Sequence, residues 1–184
     1  MKELSLHILD IAQNSITAGA SLVQIEIAED TAADTLTITV TDNGKGMSEE
    51  FLKKVRDPFT TTRKTRPVGM GISLFESAAK ACDGGFDITS KLGAGTTVKA
   101  WFKRSHIDRE PIGDMAETFV TIIGTNPDID YTYTHIFNGE SFCIDTREMR
   151  RVLGEVPLTQ FEVVTWIKDS IYESLNNIMG GYEE

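Results

Sequence analysis

An alternating strand that runs straight into an acidic, glycine-rich turn limits this chain more than any other feature. In 35–41, Leu36, Ile38 and Val40 share one face and threonines the other, the two-residue period of a half-buried strand. Asp42-Asn43-Gly44-Lys45-Gly46-Met47 follows at once. Two glycines let backbone pass close to a flat ligand, and a fixed carboxylate accepts a hydrogen bond from an exocyclic amine. Taken alone, the pattern reads first as a plain strand-to-helix turn, so its neighbours must decide.

Two further glycine segments stand at regular intervals behind it. Gly69-Met70-Gly71-Ile72-Ser73-Leu74 opens a helix expected over 71–81, with Phe75, Ala78, Ala79 and Cys82 as its apolar stripe. Glycines at a helix N-terminus expose N–H groups and the positive dipole end, which suits phosphate. Gly93-Ala94-Gly95-Thr96-Thr97 joins two strands and alone is an ordinary hairpin. Ahead of the acidic turn, 4–18 reads as a helix with Leu4, Ile8, Ile11 and Ala12 on one stripe and Gly19 as its cap. Asp10 and Asn14 then share a face, with His7 one turn behind. An amide oxygen at Asn14 is a hard ligand suited to Mg2+, and a carboxylate at Asp10 could polarise a water. A polar outer helix face is the plain alternative.

The remaining segments set the architecture. Strand 22–28 and strand 35–41 are joined by polar 29–34 as a hairpin. Ser48 is placed to cap a short helix through Arg56, with Met47 and Leu52 at the two positions of a hydrophobic staple. Stretch 57–68 has little periodicity, and strands 86–90 and 96–103 close the unit. This order predicts an α+β fold, a two-layer α/β sandwich. Domain 1–103 is followed by a polar linker, 104–113, and by a small α+β extension, 114–184, made of a hairpin and two helices. Its strands, 131–137 and 140–144, flank Asn138-Gly139, a strong hairpin signal. Asp145-Thr146-Arg147-Glu148 begins a short helix stopped by Gly154 and Pro157. Thr159-Gln160-Phe161-Glu162 reads as a capping box for a last helix with stripe Val164, Ile167, Ile171, Leu175 and Ile178.

Composition excludes several classes. No stretch approaches the roughly 18 apolar residues of a membrane span, and the N-terminus lacks a signal-peptide core. Cys82 and Cys143 lie far apart with no partner pattern, so two reduced, mostly buried thiols in a cytoplasmic protein are expected. A net charge of −10 argues against nucleic acid as main partner. The exception is local: Lys53, Lys54, Arg56, Arg63, Lys64 and Arg66 gather six of the 18 basic residues, a candidate anion site or a solvated helix face.

Taken together, these motifs resemble the gyrase/heat-shock-chaperone/histidine-kinase/MutL (GHKL) ATPases throughout residues 4–103. Asn14-Ser15-Ile16-Thr17-Ala18-Gly19-Ala20 is most similar to the MutL branch. Asp57-Pro58-Phe59-Thr60-Thr61-Thr62-Arg63-Lys64 and Cys82-Asp83-Gly84-Gly85 are most similar to sensor histidine kinases. The resemblance implies ATP and Mg2+ as cofactors. It implies that Asn14 holds Mg2+, that Asp42 receives the adenine amine, and that Gly44, Gly46 and Met47 shape the pocket. Thr96 reaches the base, Gly69 and Gly71 approach the phosphates, and Arg63 and Lys64 on a lid touch the terminal ones. Hydrolysing branches carry Glu where this chain has Asp10, so hydrolysis by Asp10 is expected to be slow. Three functions follow as alternatives: a regulatory ATPase, a trans-acting protein kinase for His or Ser, and a non-catalytic nucleotide-binding module. None of His7, His106 or His135 sits in a phospho-acceptor pattern. A protein partner is expected to dock on the C-terminal extension or the lid, and a homodimer is left open.

Overall fold

The computed structural model describes residues 2–57 and 70–180. Both alternating stretches form the expected hairpin: β1 (Leu22–Asp30) pairs antiparallel with β2 (Thr35–Asp42), Ile27 opposite Ile38. The helix before them is α1 (Leu4–Thr17), and the turn after them leads into α2 (Glu49–Arg56). Ser48 caps α2 by accepting the Phe51 N–H at 3.2 Å, as the sequence predicts. Then come α3 (Met70–Ala81), β3 (Gly85–Lys91) and β4 (Gly95–Lys103). The C-terminal part holds α4 (Met115–Thr125), β5 (Asp130–Phe137), β6 (Glu140–Asp145), α5 (Thr146–Leu153) and α6 (Phe161–Met179).

All six strands share one sheet in the order β3-β4-β2-β1-β5-β6. Neighbours are antiparallel except β1 and β5, which run parallel. Thus the C-terminal hairpin extends the first sheet edge to edge, and the segment 104–113 leads from β4 into α4. One sheet face carries the apolar set: Val23, Ile25 and Ile27; Leu36, Ile38 and Val40; Val98, Ala100 and Phe102; Tyr131 and Tyr133. Across this face α3, α1, α4 and α6 pack side by side. The result is a two-layer α+β sandwich. Among the described residues no helix is long and apolar enough to cross a membrane.

Three sequence expectations change. Helix α4 was not expected, although Asp114 and Glu117 spell a capping signal before Met115, Ala116, Phe119, Ile122 and Ile123, all buried. Asp114 accepts the Glu117 N–H at 2.9 Å. The capping box proposed at Thr159 does not form. Pro157 to Gln160 closes as a turn with Leu158 buried, so α6 starts after Gln160 with no side-chain cap. Its buried stripe is Val163, Ile167 and Ile171, with Val164 only half-buried. Of the thiols, Cys82 is buried and Cys143 exposed.

A buried polar cluster ties β5 to β1. Glu29, 1% exposed at its side chain, receives Arg104 Nε at 2.8 Å and His135 Nε2 at 2.9 Å. Because a carboxylate only accepts, Nε2 carries the ring proton and Nδ1 is free to accept the Tyr133 hydroxyl, 2.7 Å away. Burial pushes the Tyr133 phenol far above its ordinary value, so it stays a donor. Burial alone would raise the Glu29 carboxyl, yet hydrogen bonds from His135 and Arg104 hold it below the usual range. A carboxyl whose folded value is depressed stabilises fully above its unfolded value, about 4.3 for Glu, and loses that contribution as pH falls through the folded value. Urea titrations should therefore show stability falling as the pH drops below about 5. In Glu29→Ala, buried His135 and largely buried Arg104 are left without their acceptor, a loss of about 3–5 kcal/mol at neutral pH. Unchanged urea midpoints would contradict this role.

Candidate functional site

Asp42 ends β2, and its carboxylate is held from two sides. Oδ1 accepts the Gly44 N–H at 2.8 Å, the short-range closure that lets an acidic residue start a turn. Oδ2 accepts the Ser15 hydroxyl at 2.7 Å. Ser15 is buried on α1, directly after Asn14, so helix and turn are fastened at the residue the sequence singled out. Each carboxylate oxygen keeps a further lone pair for a ligand. Asn43 clamps the other side: its Oδ1 accepts the Ser21 and Leu22 N–H groups at 2.8 and 2.9 Å, and its Nδ2 donates to Ser21 Oγ at 2.8 Å.

The glycines of the turn answer to the chain's own backbone. Gly46 has φ +65°, and a Cβ there would lie 2.0 Å from the Lys91 carbonyl oxygen. Gly95 has φ +112°, and a Cβ there would lie 1.9 Å from the Asp42 carbonyl oxygen. The acidic turn and the β3–β4 turn therefore interlock. Lys45 bridges them: its N–H reaches the Ala18 carbonyl at 2.9 Å and its carbonyl takes the Gly93 N–H at 2.7 Å. Met47 is half-buried against the core, and its N–H donates to Ser90 Oγ at 2.8 Å. Ser90 also lies 2.8 Å from Thr96 Oγ1. In register, Asp42 faces Thr96 and Thr96 faces Ser90, so the three side chains stand in one row across β2, β4 and β3.

Asp10 and Asn14 lie on α1, both half-buried, and neither side chain has a hydrogen-bond partner among the described residues. The Asp10 carboxylate rests on the first turn of α3: a Cβ on Gly71 would fall 1.5 Å from Asp10 Oδ2. The structure thus brings Asp10, Asn14, Asp42, Gly44, Gly46, Met47, Gly71 and Thr96 to one end of the sheet. Arg63, Lys64 and Gly69 lie outside the described residues, as do Arg66 and 58–68 generally. Of the described members of the basic cluster, Arg56 and Lys54 have structural partners. Arg56 binds Asp87 at 2.9 Å and the Ile88 carbonyl, tethering α2 to β3, and Lys54 meets Glu50 one turn back.

His7 does not face solvent. It is buried, stacks on Phe75 with centroids 5.1 Å apart, and meets Glu110 at 3.3 Å through Nε2. Burial pulls its pKa below the ordinary value even with Glu110 beside it. Sequence reasoning missed Ser15, Asn43 and Ser90. Ser15 alone left a signal, a hydroxyl continuing the apolar stripe Leu4, Ile8, Ile11 and Ala12. The steric interlock makes Gly46 and Gly93 unequal to substitution. Gly46→Ala should cost at least about 2 kcal/mol in chemical unfolding, from a disfavoured φ plus backbone overlap. Gly93→Ala, also at positive φ but with nothing within 4 Å, should cost only about 1 kcal/mol. Equal costs would contradict the interlock.

The family model of the histidine kinase-, DNA gyrase B-, and HSP90-like ATPases matches residues 2–106. A non-motile and phage-resistance protein of Caulobacter vibrioides is 30% identical over 117 residues, covering 59% of this chain and 14% of that protein. Sensor histidine kinase ZraS of Escherichia coli is 26% identical over 110 residues, covering 60% of this chain and 23% of that protein. The chain thus spans less than a quarter of the length of either relative. Among solved structures, the Aquifex aeolicus MutL ATPase domain complexed with ADP matches with a TM-score of 0.50 and 13% identity. That match covers 100% of this chain and 99% of that one, a likeness of fold alone.

Proposed function

From the premise that this chain belongs to the histidine kinase-, DNA gyrase B-, and HSP90-like ATPase family, we propose that it binds Mg2+-ATP at the Asp42 end of its sheet and hydrolyses it slowly as a cytoplasmic regulatory or signalling component. One observation carries the reading: an acceptor row and an unpaired carboxylate converge there. Asp42, with Thr96 beside it, accepts the adenine amine, and Met47 lies near the base. The α3 N-terminus at Gly71 receives the phosphates with its N–H groups and dipole, and Gly69 is assigned to the phosphates with it. Arg63 and Lys64 contact the terminal phosphates.

The site's donors suit Mg2+, which keeps several waters and takes few protein ligands. Asn14 offers an amide oxygen with no competing partner among the described residues. When bound, the ion neutralises charge on the triphosphate. Asp10, one turn from Asn14 and against Gly71, holds a carboxylate where it can accept a proton from an attacking water. Its side chain is one methylene shorter than Glu, so the water must come closer to α1 and turnover is slow. A protein partner reads the bound state through the C-terminal elements or the stretch 57–68.

Similarity to sensor histidine kinases favours a second reading, transfer of the γ-phosphate to a partner's His or Ser. Incubation with γ-labelled ATP and Mg2+ separates the two. Released phosphate that falls at least about 100-fold in Asp10→Asn supports hydrolysis. Label carried onto an added protein, with release unaffected by Asp10→Asn, supports transfer and contradicts the first reading. Binding without either product leaves a non-catalytic module.

A further inference from the structure

Three strands each supply one polar side chain to the row at the Asp42 end, and the outermost of them, Ser90 on β3, has three partners. Its Oγ accepts the Met47 N–H at 2.8 Å, donates to the Gly95 carbonyl at 2.9 Å and lies 2.8 Å from Thr96 Oγ1. A hydroxyl owns one proton. With that proton on the Gly95 carbonyl, the hydrogen between Ser90 and Thr96 must come from Thr96. Thr96 Oγ1 then faces a ligand with lone pairs alone. Asp42 does the same, one oxygen already taking the Gly44 N–H and the other the Ser15 hydroxyl. Every group in the row that meets a ligand therefore accepts.

A row of acceptors suits a purine with an amino group at C6, whose two N–H bonds both find oxygen. It opposes a purine with a carbonyl at C6, which sets lone pairs against lone pairs. We propose that Ser90 determines base selectivity: by fixing the Thr96 proton toward itself, it makes Thr96 an acceptor and tunes the site to 6-aminopurine over 6-oxopurine nucleotides. The inference rests on the nucleotide reading given above and adds a residue to it. Ser90 is a positioning residue, since it acts on the base through Thr96. Its Met47 bond also fixes the end of the acidic turn against β3, so one side chain sets both the backbone and the proton direction at the base.

The readout is a ratio of affinities, which a purely structural role would leave alone. Calorimetric titration with Mg2+-ATP and with the inosine nucleotide, Mg2+-ITP, should show that the unsubstituted protein prefers ATP. In Ser90→Ala the Thr96 proton loses its acceptor and turns toward the ligand. The ATP-to-ITP preference should fall about tenfold, the worth of one hydrogen bond. Ser90→Thr keeps the hydroxyl and should keep the preference. A Ser90→Ala protein that loses affinity for both nucleotides equally, with its ratio unchanged, overturns the proposal, as does a fall of the ratio in Ser90→Thr. If Ser90→Ala does not fold, Ser90→Cys carries the same test, because a thiol accepts the Thr96 proton only weakly; an unchanged ratio there is equally fatal. Failure of the unsubstituted protein to bind either nucleotide overturns the nucleotide reading and this one together, and is recognised without any variant.

Discussion

The site depends on a carboxylate gripped from both sides. Asp42 takes the Gly44 N–H on one oxygen and the Ser15 hydroxyl on the other, so the turn cannot move without pulling on α1. Asn14, adjacent to Ser15, and Asp10, one turn earlier, are thereby placed relative to the strand row Asp42–Thr96–Ser90. Charge-assisted bonds of this kind are shorter and about twice as strong as neutral ones. Interlocking of Gly46 and Gly95 with opposing backbone then closes the other side of the turn. The geometry at the Asp42 end is built from backbone and short side chains, which have few rotamers to misplace.

The two ends of β1 have different tasks. Near Val23 the sheet carries the half-buried, acceptor-rich row. Near Glu29 it carries a largely buried ion cluster, with Arg104 and His135 on one carboxylate. That cluster joins β1, β5 and the segment after β4, so it fixes the parallel pairing through which the C-terminal hairpin shares the sheet. Buried charges are costly unless fully paired, and here Glu29, Arg104, His135 and Tyr133 satisfy one another. The buried ion cluster at one end and the acceptor row at the other are thus kept apart by the apolar rows of Ile25, Ile27, Ile38 and Tyr133.

Much of the fold was legible because the apolar period is strong. Leu36-x-Ile38-x-Val40 and Leu4, Ile8, Ile11 report burial directly, and Asn138-Gly139 gave the hairpin its turn, at φ 50° and 87°. The candidate site was legible as residue types in order, since several glycines of these segments, Gly46, Gly71 and Gly95, stand where a Cβ would overlap neighbouring atoms. What the sequence hid are the long-range partners. Nothing local says that Glu29 will meet His135, that His7 will stack on Phe75, or that Ser90 will take the Met47 N–H; each depends on strand order. Helix α4 was hidden for another reason: its stripe follows a proline- and glycine-containing stretch that reads as linker. At Thr159 the local cap pattern lost to burial of Leu158, which ends a turn one residue later.

The central claim is that the Asp42 carboxylate receives an adenine amine. Calorimetric titration of the protein and of Asp42→Asn with Mg2+-ATP tests it most directly. Replacing a charged acceptor should weaken binding about 10- to 100-fold while the far-ultraviolet circular dichroism stays that of the folded protein. Equal affinity of the two folded proteins for Mg2+-ATP would contradict the account.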